Sequence, residues 1–84
     1  VRCFVYRSSK KADTYLYLPV AGDFSAIPTQ LMTVFGKPEL ALELVLTPDR
    51  KLAAEDARTV LRNLMQRGFH LQLPPSDFTR GATH

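Results

Sequence analysis

The chain has 84 residues, a single cysteine, and 11 basic against 8 acidic side chains, a formal net charge of +3. That length predicts one domain over residues 1–84, burying roughly 60–65% of the surface its unfolded form exposes, so modest stability is expected. Cys3 is alone, which excludes an internal disulfide and the stapled secreted class; the cytoplasm is the expected compartment.

No basic-then-apolar leader opens the sequence. The most apolar run, Leu40 to Leu46, is interrupted by Glu43 and is too short to cross a bilayer, so no membrane role is expected. So small a positive excess permits anionic partners without demanding them.

Arg2 to Arg7 reads as a strand, with Cys3 and Val5 on one face and Phe4 and Tyr6 on the other. A strand apolar on both faces is usually covered on both. Thr14 to Leu18 reads as a second strand, Leu16 and Leu18 opposing Tyr15 and Tyr17. The polar connection Ser8-Ser9-Lys10-Lys11-Ala12-Asp13 makes the pair a hairpin with a cationic tip. Pro19 closes the second strand and Gly22-Asp23 turns the chain.

A helix is predicted from about Ser25–Pro28, with Ile27, Leu31, Val34 and Phe35 at helical spacing and Gly36 and Pro38 ending it. Glu39 to Thr47 alternates strictly, placing Leu40, Leu42, Leu44 and Leu46 on one face and Ala41, Glu43 and Val45 on the other. A second helix is predicted from Ala53 or Ala54 to Arg67. Its buried stripe is Ala57, Val60, Leu61 and Leu64, and Gly68 terminates it. Phe69 to Leu73 reads as the last strand, stopped by Pro74-Pro75. Ser76 to His84 is either a loose tail or a strap anchored by Phe78.

The order β-β-α-β-α-β makes a single-domain α/β fold, with about four strands in a small mixed sheet and two main helices. The doubly apolar first strand argues for a helix on each face.

Several pieces carry a family resemblance: Tyr6-Arg7-Ser8-Ser9-Lys10, Thr14-Tyr15-Leu16-Tyr17, Asp23-Phe24-Ser25, Phe35-Gly36-Lys37-Pro38-Glu39-Leu40 and Leu71-Gln72-Leu73-Pro74-Pro75. With these motifs the chain resembles the YcgL-domain family of small bacterial proteins over Arg2 to Pro75. The resemblance implies a compact α/β/α sandwich and a cytoplasmic location. It implies no activity and no catalytic residues, the family being one of unknown function. His70 stands where the family pattern leads one to expect an aromatic such as tyrosine.

The chemistry legible in the residues is sparse. One cysteine and two histidines give no zinc spacing, and the four glycines are scattered rather than gathered into a phosphate-binding loop; no metal or cofactor is expected. Ser8-x-x-Lys11 matches a penicillin-recognising motif only formally, since that serine belongs at a helix start in a far larger protein.

Three functional readings follow. The first is a non-enzymatic binding or accessory module for a protein or an RNA–protein assembly. The second is single-stranded RNA or polyanion binding at the hairpin tip, by Arg7, Lys10 and Lys11 with Ser8, Ser9 and Tyr15, and with Arg58 and Arg62 extending the surface. The third is a small enzyme using Glu43, His70 and Tyr15 or Tyr17 on one sheet face, which requires those groups to converge.

Structural alternatives stand beside each. The serine hydroxyls bond turn backbone, Arg7 clamps Asp23 or Glu39, Glu55 neutralises Arg58, and Glu43 pairs with a nearby base.

Overall fold

Two separate apolar clusters, one on each side of a four-stranded sheet, organise the computed structural model, which describes residues 1–52 and 55–74. The strands are β1 (Arg2–Arg7), β2 (Tyr15–Leu18), β3 (Glu39–Val45) and β4 (His70–Gln72); the helices are α1 (Thr29–Phe35) and α2 (Ala57–Arg67). The sheet order is β3-β1-β2-β4, and all three neighbouring pairs are antiparallel. The expected mixed sheet is thereby corrected. β2 and β3, joined through α1, do run parallel, but β1 lies between them and supplies an antiparallel neighbour to each.

Register explains why β1 is apolar on both faces. Val5 lies opposite Tyr17 and Leu42, on the face covered by α2, where Cys3, Leu46, Ala57, Val60 and Leu64 complete the core. Tyr6 lies opposite Leu16 and Leu40 on the other face, where Leu18, Ile27 and Phe35 are buried beneath α1. The Tyr6 ring meets Phe24 edge-on at 4.9 Å, and its hydroxyl accepts from the Gly22 amide at 2.8 Å. The chain is thus layered α/β/α, helices on opposite faces of one sheet.

β3 departs from the predicted leucine ladder. Val5 pairs with Leu42 but Tyr6 pairs with Leu40, so Ala41 is an extra residue at a β-bulge. The bulge reverses the alternation. Leu42 and Leu44 share the α2 face with the tyrosines, whereas Leu40 joins the α1 face with Glu43, the residue opposite Phe4. β3 ends at Val45 rather than Thr47, although Val1 and Leu46 still exchange both backbone hydrogen bonds beyond it.

The helices begin later than their periodicity predicts. α1 opens after Pro28, and the exposed Val34 lies off its buried stripe. At its end Gly36 adopts φ 81° and ψ −151°, a conformation open to glycine almost alone. A Cβ there would also lie 2.8 Å from the Lys10 side chain. α2 opens at Ala57 because Asp56 serves as its N-cap, accepting from the Thr59 amide and hydroxyl, while Lys51 and Asp56 form an isolated antiparallel bridge. The predicted start at Ala53 or Ala54, Pro75, and the predicted tail over 76–84 with Phe78 lie outside the described residues.

Burial sets an alkaline limit on this core. It raises the Cys3 thiol from 9.0 to about 11, against weaker lowering contacts, and raises the Tyr17 hydroxyl from 10.0 to about 12, reinforced by the Glu55 carboxylate. Both groups are neutral when protonated, and the folded state holds those protons more tightly than the unfolded state. Their contribution is complete below the unfolded values and is lost as pH rises through the folded ones. The melting temperature should therefore fall progressively above about pH 9, and Tyr17→Phe should flatten the upper part of that fall. A melting temperature constant across that alkaline range would contradict the assignment.

Candidate functional site

The hairpin tip is the sequence-predicted anion site; the structure buries Ser8 and ties Arg7, Ser9 and Lys10, which stay exposed, to α1 and the chain that follows it. Ser8 is buried; its hydroxyl donates to the Phe35 carbonyl at 2.6 Å and accepts from the Lys10 and Lys11 amides at 3.1 and 2.9 Å. One donor and two lone pairs are the whole capacity of a hydroxyl, so Ser8 has none left. The Ser9 hydroxyl accepts from the Lys37 amide at 2.7 Å, and Lys10 Nζ donates to the Thr33 carbonyl at 3.2 Å. Ser8 and Lys10 therefore satisfy carbonyls that the last turn of α1 leaves open, and the loop is a clamp on that helix end.

Arg7 pairs with Glu39 at 3.0 Å, the second of its two anticipated partners. Asp23 instead accepts from the Ser25 hydroxyl and amide, contacts that lower its carboxyl below the usual range. Of the six hairpin candidates, Arg7, Ser9, Lys10 and Lys11 are exposed, Ser8 is buried, and Tyr15, half-buried, faces the α2 side of the sheet.

The face proposed for acid–base work is not assembled. Glu43 lies on the α1 face and pairs with Arg2 at 2.8 Å. His70 lies on the α2 face beside Tyr17, ring centroids 5.4 Å apart and edge-on. Its Nδ1 accepts from Asn63 Nδ2 at 2.8 Å, so Nε2 carries the proton and donates to Glu55 at 2.9 Å. Both ring nitrogens are thus occupied, and the ring is sealed under α2. Among the described residues no three His, Cys, Asp or Glu side chains gather as a metal site. Nor is any helix there long and apolar enough to cross a membrane.

Glu55 was expected to neutralise Arg58; His70 takes it instead. α2 itself contains no acidic residue, so its outer side carries Arg58 and Arg62 beside Met65, among the described residues the most exposed large apolar side chain at 83%. With Pro48, Leu61 and Gln66 these residues line a shallow hollow of about 530 Å³.

A second hollow, of about 390 Å³, lies on the α2 face of the sheet. The cross-strand row Leu42–Val5–Tyr17 and Leu44 line its sheet side, Tyr15 and Gln72 stand at the β2/β4 side, and Arg50 and Lys51 come from the β3–α2 loop. The Tyr17 hydroxyl donates to Gln72 Oε1 at 2.5 Å. Sequence reading missed both hollows. The Arg58/Arg62 spacing signalled the first, but no local pattern joins Leu42 to Lys51.

Comparison with known protein families matches residues 3–75 to the YcgL domain. The chain belongs to the YcgL-domain family. A YcgL-domain protein of Thioalkalivibrio sulfidiphilus is 52% identical over 77 residues, covering 92% of this chain and 95% of that one. YcgL-domain proteins of Pseudomonas fluorescens and Pseudoalteromonas atlantica are each 48% identical over 75 residues, covering 89% of this chain and 77% and 79% of theirs. These YcgL relatives are bacterial, and their names give no activity, so function has to be argued from the surfaces just described.

Proposed function

We propose that this YcgL domain is a non-catalytic binding module that meets an acidic protein partner through the outer side of α2. The observation that carries the reading is the diversion of Glu55 to His70, which leaves Arg58 and Arg62 flanking exposed Met65 on a helix without a carboxylate. Arginine and methionine are enriched at protein interfaces, and the Arg guanidinium matches carboxylates in a two-pronged geometry. The hollow between them is lined by Leu61 and Met65 and has no aromatic ring on which a base would stack, which favours protein over RNA. A reducing compartment, the cytoplasm, suits a domain whose Cys3 is a buried free thiol.

The competing reading keeps single-stranded RNA at the hairpin tip, on Arg7, Lys10 and Lys11. The bonds of Ser8, Ser9 and Lys10 to the end of α1 and the chain after it, and the Arg7–Glu39 pair, weigh against it.

One comparison separates the two. Partners crosslinked in native lysate are identified, purified and retitrated against wild type, Arg58→Glu/Arg62→Glu and Lys10→Glu/Lys11→Glu, with short single-stranded RNA titrated in parallel across a salt series. Protein affinity should drop about tenfold or more in the α2 variant and hold in the hairpin variant. RNA binding at physiological salt that vanishes in the hairpin variant would overturn the proposal, as would a purified partner indifferent to α2.

A further inference from the structure

The hollow on the α2 face of the sheet differs in kind from the outer side of α2. We propose that it is a binding site for a small amphipathic carboxylate, with the apolar body laid across the strands and the carboxylate at Arg50 and Lys51.

The floor is apolar because of the bulge. With strict alternation from Leu40 onward, the tyrosine face would have been the one carrying Ala41 and Glu43. The extra residue at Ala41 brings Leu42 opposite Val5 instead, in the row that continues to Tyr17, with Leu44 beside it. α2 leaves part of that row uncovered: Leu42 is 47% exposed although its cross-strand neighbours Val5 and Tyr17 are buried.

The volume, about 390 Å³, lies within the range of pockets that take small organic ligands. An apolar floor with few polar groups at its margins is the usual composition of such sites.

Charge selects the ligand class. Arg50 and Lys51 contribute two cations, and among the described residues no acidic side chain lines the hollow. Among the described residues no carboxylate forms an ion pair with Arg50 or Lys51: Glu39 pairs with Arg7, Glu43 with Arg2, Glu55 accepts from His70, Asp49 from the Thr47 hydroxyl, and Asp56, whose backbone bridges Lys51, from Thr59. Arg50 Nη1 donates to the Val45 carbonyl at 3.3 Å, which holds the guanidinium beside β3 while its other N–H groups remain for a planar carboxylate. At the far margin, Tyr17 engages Gln72 Oε1 and leaves the amide nitrogen of Gln72 as a neutral donor. One end is therefore cationic and the other neutral and polar, with hydrocarbon between them. A single-headed carboxylate with an aliphatic or aryl body matches that order; a bare inorganic anion would leave the floor unfilled.

The test uses the full chain, isotopically labelled, titrated by NMR with octanoate and 4-phenylbutyrate, and in parallel with 4-phenylbutanol and inorganic phosphate. Saturable shifts should gather on Val5, Tyr15, Leu42, Leu44, Arg50 and Lys51. Binding should weaken about tenfold or more for the alcohol and in Lys51→Gln, and phosphate should leave the floor residues unmoved. Arg50→Gln should act in the same direction, with its melting curve recorded to separate lost charge from lost folding. Equal binding of alcohol and acid, shifts centred on α2's outer side, or no saturable binding of either carboxylate would each overturn the proposal. Equal binding or no binding would leave the acidic-partner reading, which depends on Arg58, Arg62 and Met65, untouched, whereas shifts centred on α2's outer side would agree with it.

Discussion

Phe35→Ala should destabilise the domain by about 3–5 kcal/mol, the largest effect expected of any single truncation in it. Phe35 is the bulkiest fully buried side chain, 1% exposed, and it fills the α1 face against Tyr6, Leu16, Leu18 and Ile27. It is also the last residue of α1, so no helix continues past it to collapse into the space left behind. A domain of this size typically has about 4–13 kcal/mol of stability to lose, at roughly 0.05–0.15 kcal/mol per residue. The melting temperature should therefore drop by on the order of 20 °C. Val34→Ala, one residue earlier but 48% exposed, should change stability by no more than about 0.5 kcal/mol. Thermal or urea denaturation of the two variants checks the pair; similar losses would contradict the packing described.

The second large effect belongs to Ser8. Ser8→Ala removes the donor to the Phe35 carbonyl and the acceptor for two loop amides, and should cost about 2–3 kcal/mol. The loss exceeds that of one ordinary hydrogen bond because the groups abandoned sit in a closed junction between loop and helix end. Ser9→Ala, whose hydroxyl meets one exposed amide, should cost about 1 kcal/mol or less. Chemical denaturation distinguishes the roles: a free ligand-binding serine would be replaceable without loss of stability. A Ser8→Ala midpoint equal to wild type would sink the clamp interpretation.

These two residues also mark what could be read in advance. The apolar content of both faces of β1 pointed to helices on both sides, and Leu16/Leu18 against Tyr15/Tyr17 gave the facing of β2, because alternation is a local property. Gly36 and Gly68 ended their helices for the same reason. Pairing was less legible. Strand order arises from which edges remain free after the hairpin forms, and nothing within Glu39–Val45 says that it will lie against β1 antiparallel with one residue too many. That single bulge moved Glu43 to the opposite face from His70 and undid the proposed convergence of catalytic groups.

The contacts of the hairpin were illegible for a related reason. Its serines and lysines have the composition of an anion site, but their partners, Thr33, Phe35 and Lys37, lie more than twenty residues away in sequence. Likewise, Glu55 was assigned to Arg58 on the strength of proximity along the chain, whereas the fold brings it to the imidazole of His70.

The bulge has a consequence for how the molecule behaves in crowded solution. β3 is the outermost strand on its side of the described sheet, and it displays Leu40, Leu42 and Val45, each about half exposed. An edge of that composition invites a foreign strand to zip onto it. Here the zip has no regular track. Ala41 breaks the spacing of the outward amides and carbonyls near the middle, and the carbonyl of Val45 toward the end is already taken by the Arg50 guanidinium. An edge strand with this much exposed apolar surface is thus also a poor template for fibre growth, and a deletion of Ala41 that straightened it would trade a small local irregularity for a seed of aggregation.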